Sequence, residues 1–389
     1  MTCADPMLSR FMITDNSIAP ASPEYIRFAA TKTFGSLDGL RALSILAVLW
    51  HHHADNIIPG WTISARGFLG VDLFFTISGF LIVTLLLREQ RSTGTLSLRD
   101  FYVRRFLRIL PPYYLLLLLV GVVAFLRPDG NTSNDVKHDL PYAIFFISNL
   151  VAMQSLLAIT WSLSVEEQFY ALVPAIEKYL SRALPILFPL VYVAVSLPAF
   201  GIIPLSFPAF FRETTFGPIL LGAMLAHVLH NPSSFSWAWK LAGARFAPLI
   251  ALGVIFASAS YPSEEFVGLP RIITHWAMVA LLASCVVREN NCLAPLLSFW
   301  PARRVGAVSY GMYLYHLIVM HFVVRGLGTA GLMTFFLTAL GSWMIAELSY
   351  HLFESRFLAL KTRFSPGARK TAAADPTGVT GARPNSSGH

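Results

Sequence analysis

Stretches of roughly 20 apolar residues recur along this chain, and no other feature limits its fold as strongly. A helix of that length crosses the hydrocarbon of a bilayer while satisfying its own backbone polar groups. Candidate spans lie near 37–54, 67–88, 107–126, 162–180, 183–201, 214–230, 246–260, 272–287, 305–324 and 331–353. Only 13% of the residues are charged, about half the share that covers a soluble domain. The expected fold is all-α: a polytopic membrane helix bundle of about ten transmembrane helices. The chain divides into a polar N-terminal segment (1–34), a transmembrane region (35–360) and a basic tail (361–389) whose composition reads as disordered.

Loop charge sets orientation, because cytoplasmic loops carry the excess of Lys and Arg. The strongest inside mark holds Arg88, Arg91, Arg99, Arg104, Arg105 and Arg108, and the tail adds Lys361, Arg363, Arg369, Lys370 and Arg383. These marks agree only if 140–180 crosses the membrane once. We therefore take 162–180 as the span and 140–158 as a re-entrant or outer-surface segment. Both termini are then cytoplasmic, and the expected location is the cell (inner) membrane, multi-pass.

The net charge of +8 does not point to nucleic acid, since the basic residues fall between apolar segments. No nucleic-acid partner is expected. The cysteines, Cys3, Cys285 and Cys292, show no CxxC or CxxH spacing, so no metal is expected.

Ionisable side chains inside spans are costly and usually face a cavity or a partner. The first span, LDGLRALSILAVLWHHH, contains Arg41 and a run of three histidines, His51, His52 and His53. Arg41 and His52 are eleven positions apart, which puts them within about 20° on one helix stripe and roughly 16 Å apart along the axis. They cannot touch, and would cooperate only through a long ligand or other residues. The alternative is an anchoring Arg41 with the histidines as a wet outer cap.

The second span opens GFLGVDLFFTISGFLI. Gly67, Gly70 and Gly79 permit close helix approach. Asp72 lies at the depth of the histidines, where it would orient an imidazole or simply be solvated. In FYVRRFLRILPPYY, Arg105 and Arg108 are helix neighbours. Such a pair suits a phosphate, although any cytoplasmic loop attracts arginines. Pro111 and Pro112 are expected to break or kink that helix. In TWSLSVEEQFYALVP, Glu166 and Glu167 point about 100° apart, so they face different surroundings. Tyr310, Tyr313 and His316, in SYGMYLYH, recur every three residues. They form either one polar stripe or part of an aromatic belt.

Taken together and in this order, these segments and the closing FESRF resemble the membrane-bound acyltransferase 3 family, from about Leu37 to Glu354. The resemblance implies about ten helices, a cytoplasmic acyl-CoA donor (acetyl-CoA by default) and O-acylation of a carbohydrate or glycolipid acceptor in the cell envelope. The family's Arg, ten residues, then His falls on Arg41 and His52. Its Arg-x-x-Arg falls on Arg105 and Arg108, and its glutamate segment on Glu166. The closing Glu-x-Pro-Phe reads Glu354, Ser355, Arg356, Phe357, with no proline.

The resulting expectation has His52 as general base, oriented by Asp72 or Glu166. Arg41, Arg105 and Arg108 would bind the phosphates of the donor, and Tyr310, Tyr313 and His316 would line the substrate site. The alternative function is a membrane transporter or flippase for a lipid or sugar, with the same residues forming a substrate pathway.

Overall fold

The computed structural model describes residues 22–53, 57–58, 62–126, 131–200, 213–262, 266–328 and 331–364. Among the described residues every regular element is helical and there is no strand. In chain order the helices are α1 (Pro23–Ala30), α2 (Ser36–His51), α3 (Leu69–Thr93), α4 (Leu98–Leu126), α5 (Asn131–Ile144), α6 (Thr160–Leu180), α7 (Leu184–Ser196) and α8 (Glu213–His230). They continue with α9 (Pro232–Ala242), α10 (Ala247–Ala259), α11 (Leu269–Val287), a single helical turn (Ala294–Leu297), α12 (Trp300–Ala307), α13 (Ser309–Leu327), α14 (Leu332–Ser349) and α15 (Ser355–Lys361).

By length and composition alone, four helices among the described residues can cross a membrane: Ser64–Thr93, Leu98–Leu126, Leu269–Val287 and Leu332–Lys361. The number is six if two bent pairs each count as one span. The pairs are α9 with α10, bent by 72°, and α12 with α13, bent by 74°. The other expected spans are helical too, but α2 has only 16 residues and α6 carries Glu166, Glu167, Glu177 and Lys178. The outer surface is the one that lipid requires. Leu118, Phe125 and Leu126 on α4, Ile186 and Leu190 on α7, Ile250 and Phe256 on α10, and Phe336, Met344 and Leu348 on α14 are all exposed.

The α3 helix is the centre of the bundle. It is 78% buried over its most apolar stretch, against 22% for Leu332–Lys361. Small residues make this possible. A methyl group on Gly79 would land on the Ile219 carbonyl of α8, and one on Gly222 would land on the Thr76 carbonyl of α3. Gly67, in the 3-10 turn Ser64–Phe68 that leads into α3, and Gly70, on another face of α3, meet the backbone of α2 at Ala47 and Ser44. The three glycines expected to allow close approach therefore all do so.

One local expectation is corrected. Pro111 and Pro112 do not break their helix, since α4 runs unbroken from Leu98 to Leu126. Prolines remove the donors to the carbonyls four residues back, here Leu107 and Arg108, and the Tyr310 hydroxyl donates to the next carbonyl, that of Ile109, at 2.9 Å, which ties this stretch to α13. At the other end, where the proline of the closing motif is missing, the helix continues past Ser349. It passes through one π-helical turn, Tyr350–Glu354, into α15. Arg356 stands where a proline would have ended the helix.

No single helix covers 140–158. The end of α5 is followed by 3-10 turns at Ser148–Leu150 and Leu156–Ile159. The buried Asp139 carboxylate holds this segment by accepting the backbone N–H groups of Gln154 and Ser155 at 2.8 and 2.7 Å. Asn149 and Gln168 exchange amide hydrogen bonds at 3.1 and 3.0 Å. Phe146 sits at φ 54°, a left-handed value unusual outside glycine. Its ring stacks on Tyr113 and its carbonyl accepts from Gln168, which together fix the strained conformation.

At the chain start, Ser22 caps α1, and Tyr25 donates to the His230 carbonyl at 2.9 Å. Tyr25 and Phe28 pack on Phe235 of α9. The tail expected at 361–389 lies outside the described residues from position 365, as does Cys3.

Candidate active site

The expected site residues fall into two polar groups. The first surrounds a cavity of about 110 Å³ between α2, α3, α4, α6 and α13. Arg41 reaches it from α2, Arg105 and Arg108 from α4, Glu166 from α6, and Tyr310 and Tyr313 from α13. Six of the nine expected site residues thus line one cavity, although they come from four helices. Val71, Phe74, Phe75 and Leu163 supply its apolar wall.

Within this group the acids are few. Arg41 is bonded to Asp38 at 2.9 Å, one turn back on its own helix. Glu166 accepts the Ser78 hydroxyl at 2.7 Å. Arg105 lies over the rings of Tyr170 and Phe101, at 5.2 and 5.8 Å. Neither Arg105 nor Arg108 makes a hydrogen bond or ion pair among the described residues, so both guanidinium groups are available to an anion in the cavity. Glu167 lies outside this lining, as its angular offset from Glu166 requires, and its Oε1 is buried without a hydrogen-bond partner among the described residues.

Tyr313 links the cavity to the histidine end. Its hydroxyl shares hydrogen bonds with Ser162 Oγ at 2.7 Å and the Ile159 carbonyl at 3.1 Å. Its ring lies 5.5 Å from that of His316, and the His316 ring lies 5.1 Å from that of His52. Tyr313 and His316 are buried, so the stripe on α13 is an internal polar line and not an interfacial belt. Tyr310 joins it through its bond to α4.

The three consecutive histidines have different surroundings. His51 Nδ1 pairs with the Ala65 carbonyl at 3.0 Å. His53 is buried, with Nδ1 on the Leu49 carbonyl at 2.9 Å and Nε2 near the Thr338 hydroxyl at 3.4 Å. His52, just beyond the end of α2, is exposed and makes no side-chain hydrogen bond among the described residues. The stripe argument singled out His52, and its imidazole is also the one left free.

The second group corrects the expectation for Asp72. Its carboxylate does not orient a member of the 51–53 run. It takes Arg271 at 2.9 Å and the Nε2–H of His275 at 3.0 Å, both from α11. The cause is angular: Gly70 faces α2, and a residue two positions on points about 160° away. Glu166 does not bond the His52 ring either, since its described partner is Ser78. The sequence reading missed Arg271, His275, Ser78 and Ser162. The first two had a usable signal: they stand four residues apart, hence on one face, in an otherwise apolar span.

Among the described residues, no group of three or more His, Cys, Asp or Glu side chains could hold a metal ion.

The sequence profile of the Acyl_transf_3 family, an acyltransferase domain, matches residues 34–347. The chain belongs to this family. It is 31% identical over 349 residues to a Bacillus subtilis protein named as a candidate peptidoglycan O-acetyltransferase, covering 82% of this chain and 54% of the relative. It is 27% identical over 352 residues to the peptidoglycan O-acetyltransferase of Listeria monocytogenes, covering 82% and 55%. A Staphylococcus aureus protein named as a candidate O-acetyltransferase is 29% identical over 374 residues, covering 86% and 58%. The chain therefore spans little more than half the length of these curated relatives. No solved structure matches it. The family profile ends inside α14, so all nine expected site residues fall within the matched region.

Proposed function

We propose that this chain is a membrane O-acetyltransferase that moves an acetyl group from cytoplasmic acetyl-CoA to a hydroxyl of a cell-envelope carbohydrate. The observation that carries this reading is the continuity of one polar line. At one end of it sit two arginines, and at the other the His52 imidazole, none of them with a side-chain hydrogen bond among the described residues.

In this reading the backbone crosses the inner membrane ten times, with both ends in the cytoplasm, which the arginine-rich 88–108 stretch supports. Arg105 and Arg108, with Arg41 beside them, hold the donor phosphates by charge-assisted hydrogen bonds. The cavity of about 110 Å³ accommodates only part of the donor. The acyl-bearing arm occupies it, and the nucleotide end lies outside, beyond the arginines. Glu166, held by the Ser78 hydroxyl, offsets the guanidinium charge at the cavity wall, while Tyr310 and Tyr313 line the path of the arm. Asp72 holds α3 to α11.

His52 takes the proton of the acceptor hydroxyl as its oxygen attacks the thioester carbonyl. The acceptor's O–H bond and the donor's C–S bond break as the ester C–O bond forms, and the proton passes from His52 to the departing sulfur. Peptidoglycan is the acceptor that the names of the Bacillus and Listeria relatives suggest. The test uses purified protein with radiolabelled acetyl-CoA and peptidoglycan fragments. Transfer of label to the glycan with release of free thiol is the expected result. A transporter or flippase would neither consume the thioester nor release thiol.

A further inference from the structure

The free ring of His52 faces a second imidazole whose own bonding is incomplete. His316 is 1% exposed on α13. Its Nδ1 lies 2.6 Å from the Tyr313 carbonyl oxygen. A carbonyl only accepts, so Nδ1 carries the hydrogen and Nε2 of the neutral ring is left as a bare acceptor. That Nε2 is buried and has no hydrogen-bond partner among the described residues. Buried acceptors without donors are rare in native proteins and need a reason. The neighbouring ring is His52, with centroids 5.1 Å apart and planes tilted by 40°. His52 has an N–H to give and no bond among the described residues that would stop it turning.

We propose that His316 is the positioning partner of His52. Its Nε2 accepts the N–H of the His52 ring, which fixes the His52 tautomer. The other nitrogen of His52 then faces the acceptor hydroxyl as a bare base. When that nitrogen takes the hydroxyl proton, the positive charge on His52 is shared through its other N–H with the His316 lone pair. The proton later leaves to the thiolate sulfur, so His316 undergoes no net change. The other histidines of the run cannot take this place. His53 uses both nitrogens, on Leu49 and Thr338, and His51 is turned to Ala65. The inference rests on the acetyl-transfer reading above and adds to it a second imidazole that does not touch the donor.

The test compares His316→Leu, which removes the acceptor, with His316→Gln, whose side-chain oxygen restores an acceptor near the position of Nε2. Each is made in the wild-type and His52→Ala backgrounds, with acetyl-CoA affinity measured on every protein. We expect His316→Leu to lower kcat at least about tenfold, within the roughly 10²–10⁴-fold that a whole general base supplies. KM for acetyl-CoA should stay within about twofold, because the phosphate-binding arginines are untouched. His316→Gln should recover most of kcat. In the His52→Ala background His316→Leu should cost nothing further, since the two act as one unit.

Wild-type kcat in His316→Leu would overturn the inference. So would equal losses in Leu and Gln accompanied by weakened acetyl-CoA binding, which mark a packing role. Additive losses in the double variant would also overturn it. Failure of the underlying reading is recognisable separately, because the unmodified protein itself would then release no thiol.

Discussion

The cluster around Asp72 and the one around the cavity differ in how completely their charges are paired. Around Asp72 the charges are paired: the carboxylate is 1% exposed and takes both Arg271 and His275, although Arg271 Nε and His275 Nδ1 have no hydrogen-bond partner among the described residues. Arg271 also reaches the Phe266 carbonyl and lies 5.0 Å from the Phe68 ring centroid. Around the cavity the account is open. Among the described residues Arg105 and Arg108 have no hydrogen-bond partners, the nearby His316 Nε2 has no donor, and the His52 side chain makes no hydrogen bond. A charge in lipid is stable only when paired or facing a polar space. Closed groups therefore hold helices together, and open ones wait for a ligand. Mutations on the closed side should cost stability, whereas mutations on the open side should cost activity with stability retained.

The largest effect expected on the open side is from His52→Ala. Transfer should fall by about 10²–10⁴-fold, with expression and thermal stability near wild type. His51→Ala and His53→Ala should keep substantial activity. Equal activity in all three would remove His52 from the mechanism.

On the closed side, Asp72→Ala leaves the Arg271 charge buried without its carboxylate. The expected loss is about 3–5 kcal/mol of stability, read as a lower thermal midpoint in detergent or as failure to accumulate. A stable Asp72→Ala protein that had lost only activity would place Asp72 with the open group and break the comparison.

Smaller again is the Arg105→Ala, Arg108→Ala pair. Each should weaken kcat/KM for acetyl-CoA roughly tenfold, since a hydrogen bond to a charged group contributes about 1.5–3 kcal/mol and tenfold corresponds to about 1.4 kcal/mol. The thermal midpoint should not move. Loss of stability without loss of donor affinity would make these arginines structural.

The smallest effect concerns a closed group outside the spans. Burial of Asp139 opposes its charge, but hydrogen bonds from His138, Ser155 and Gln154 outweigh this and hold its carboxyl below the usual range. A depressed folded pKa stabilises the fold above the unfolded value, near 3.9 for Asp, and that contribution disappears as pH falls through the folded value. Asp139→Asn should cost about 1–2 kcal/mol at neutral pH. The difference from wild type should shrink as the pH falls below about 4. A difference independent of pH would show that charge is not what Asp139 contributes.

The comparison also separates what the sequence could reveal from what it could not. Helical periodicity says which residues of one segment share a face. It therefore selected His52 from its neighbours, paired Arg105 with Arg108 and aligned Tyr310, Tyr313 and His316, all of which the fold brings to one polar line. Periodicity does not name the partner across the gap. Asp72 meets Arg271 and His275 some 200 positions later, and Glu166 meets Ser78 at a separation of 88. Span number was harder still. Apolar length marks a segment as suited to lipid, but bends at 243–246 and at Val308 come from packing and local turns, which hydropathy does not register.

The account's central claim is that one donor molecule connects the arginines to His52. A photoreactive acyl-CoA analogue, with the reactive group on its acyl chain, tests it most directly. After irradiation and digestion, mass spectrometry should place the label on peptides containing 51–53 or 313–316, and excess acetyl-CoA should abolish it. Label confined to the surface of α4 or α15, with none near His52 under any condition, would contradict the account.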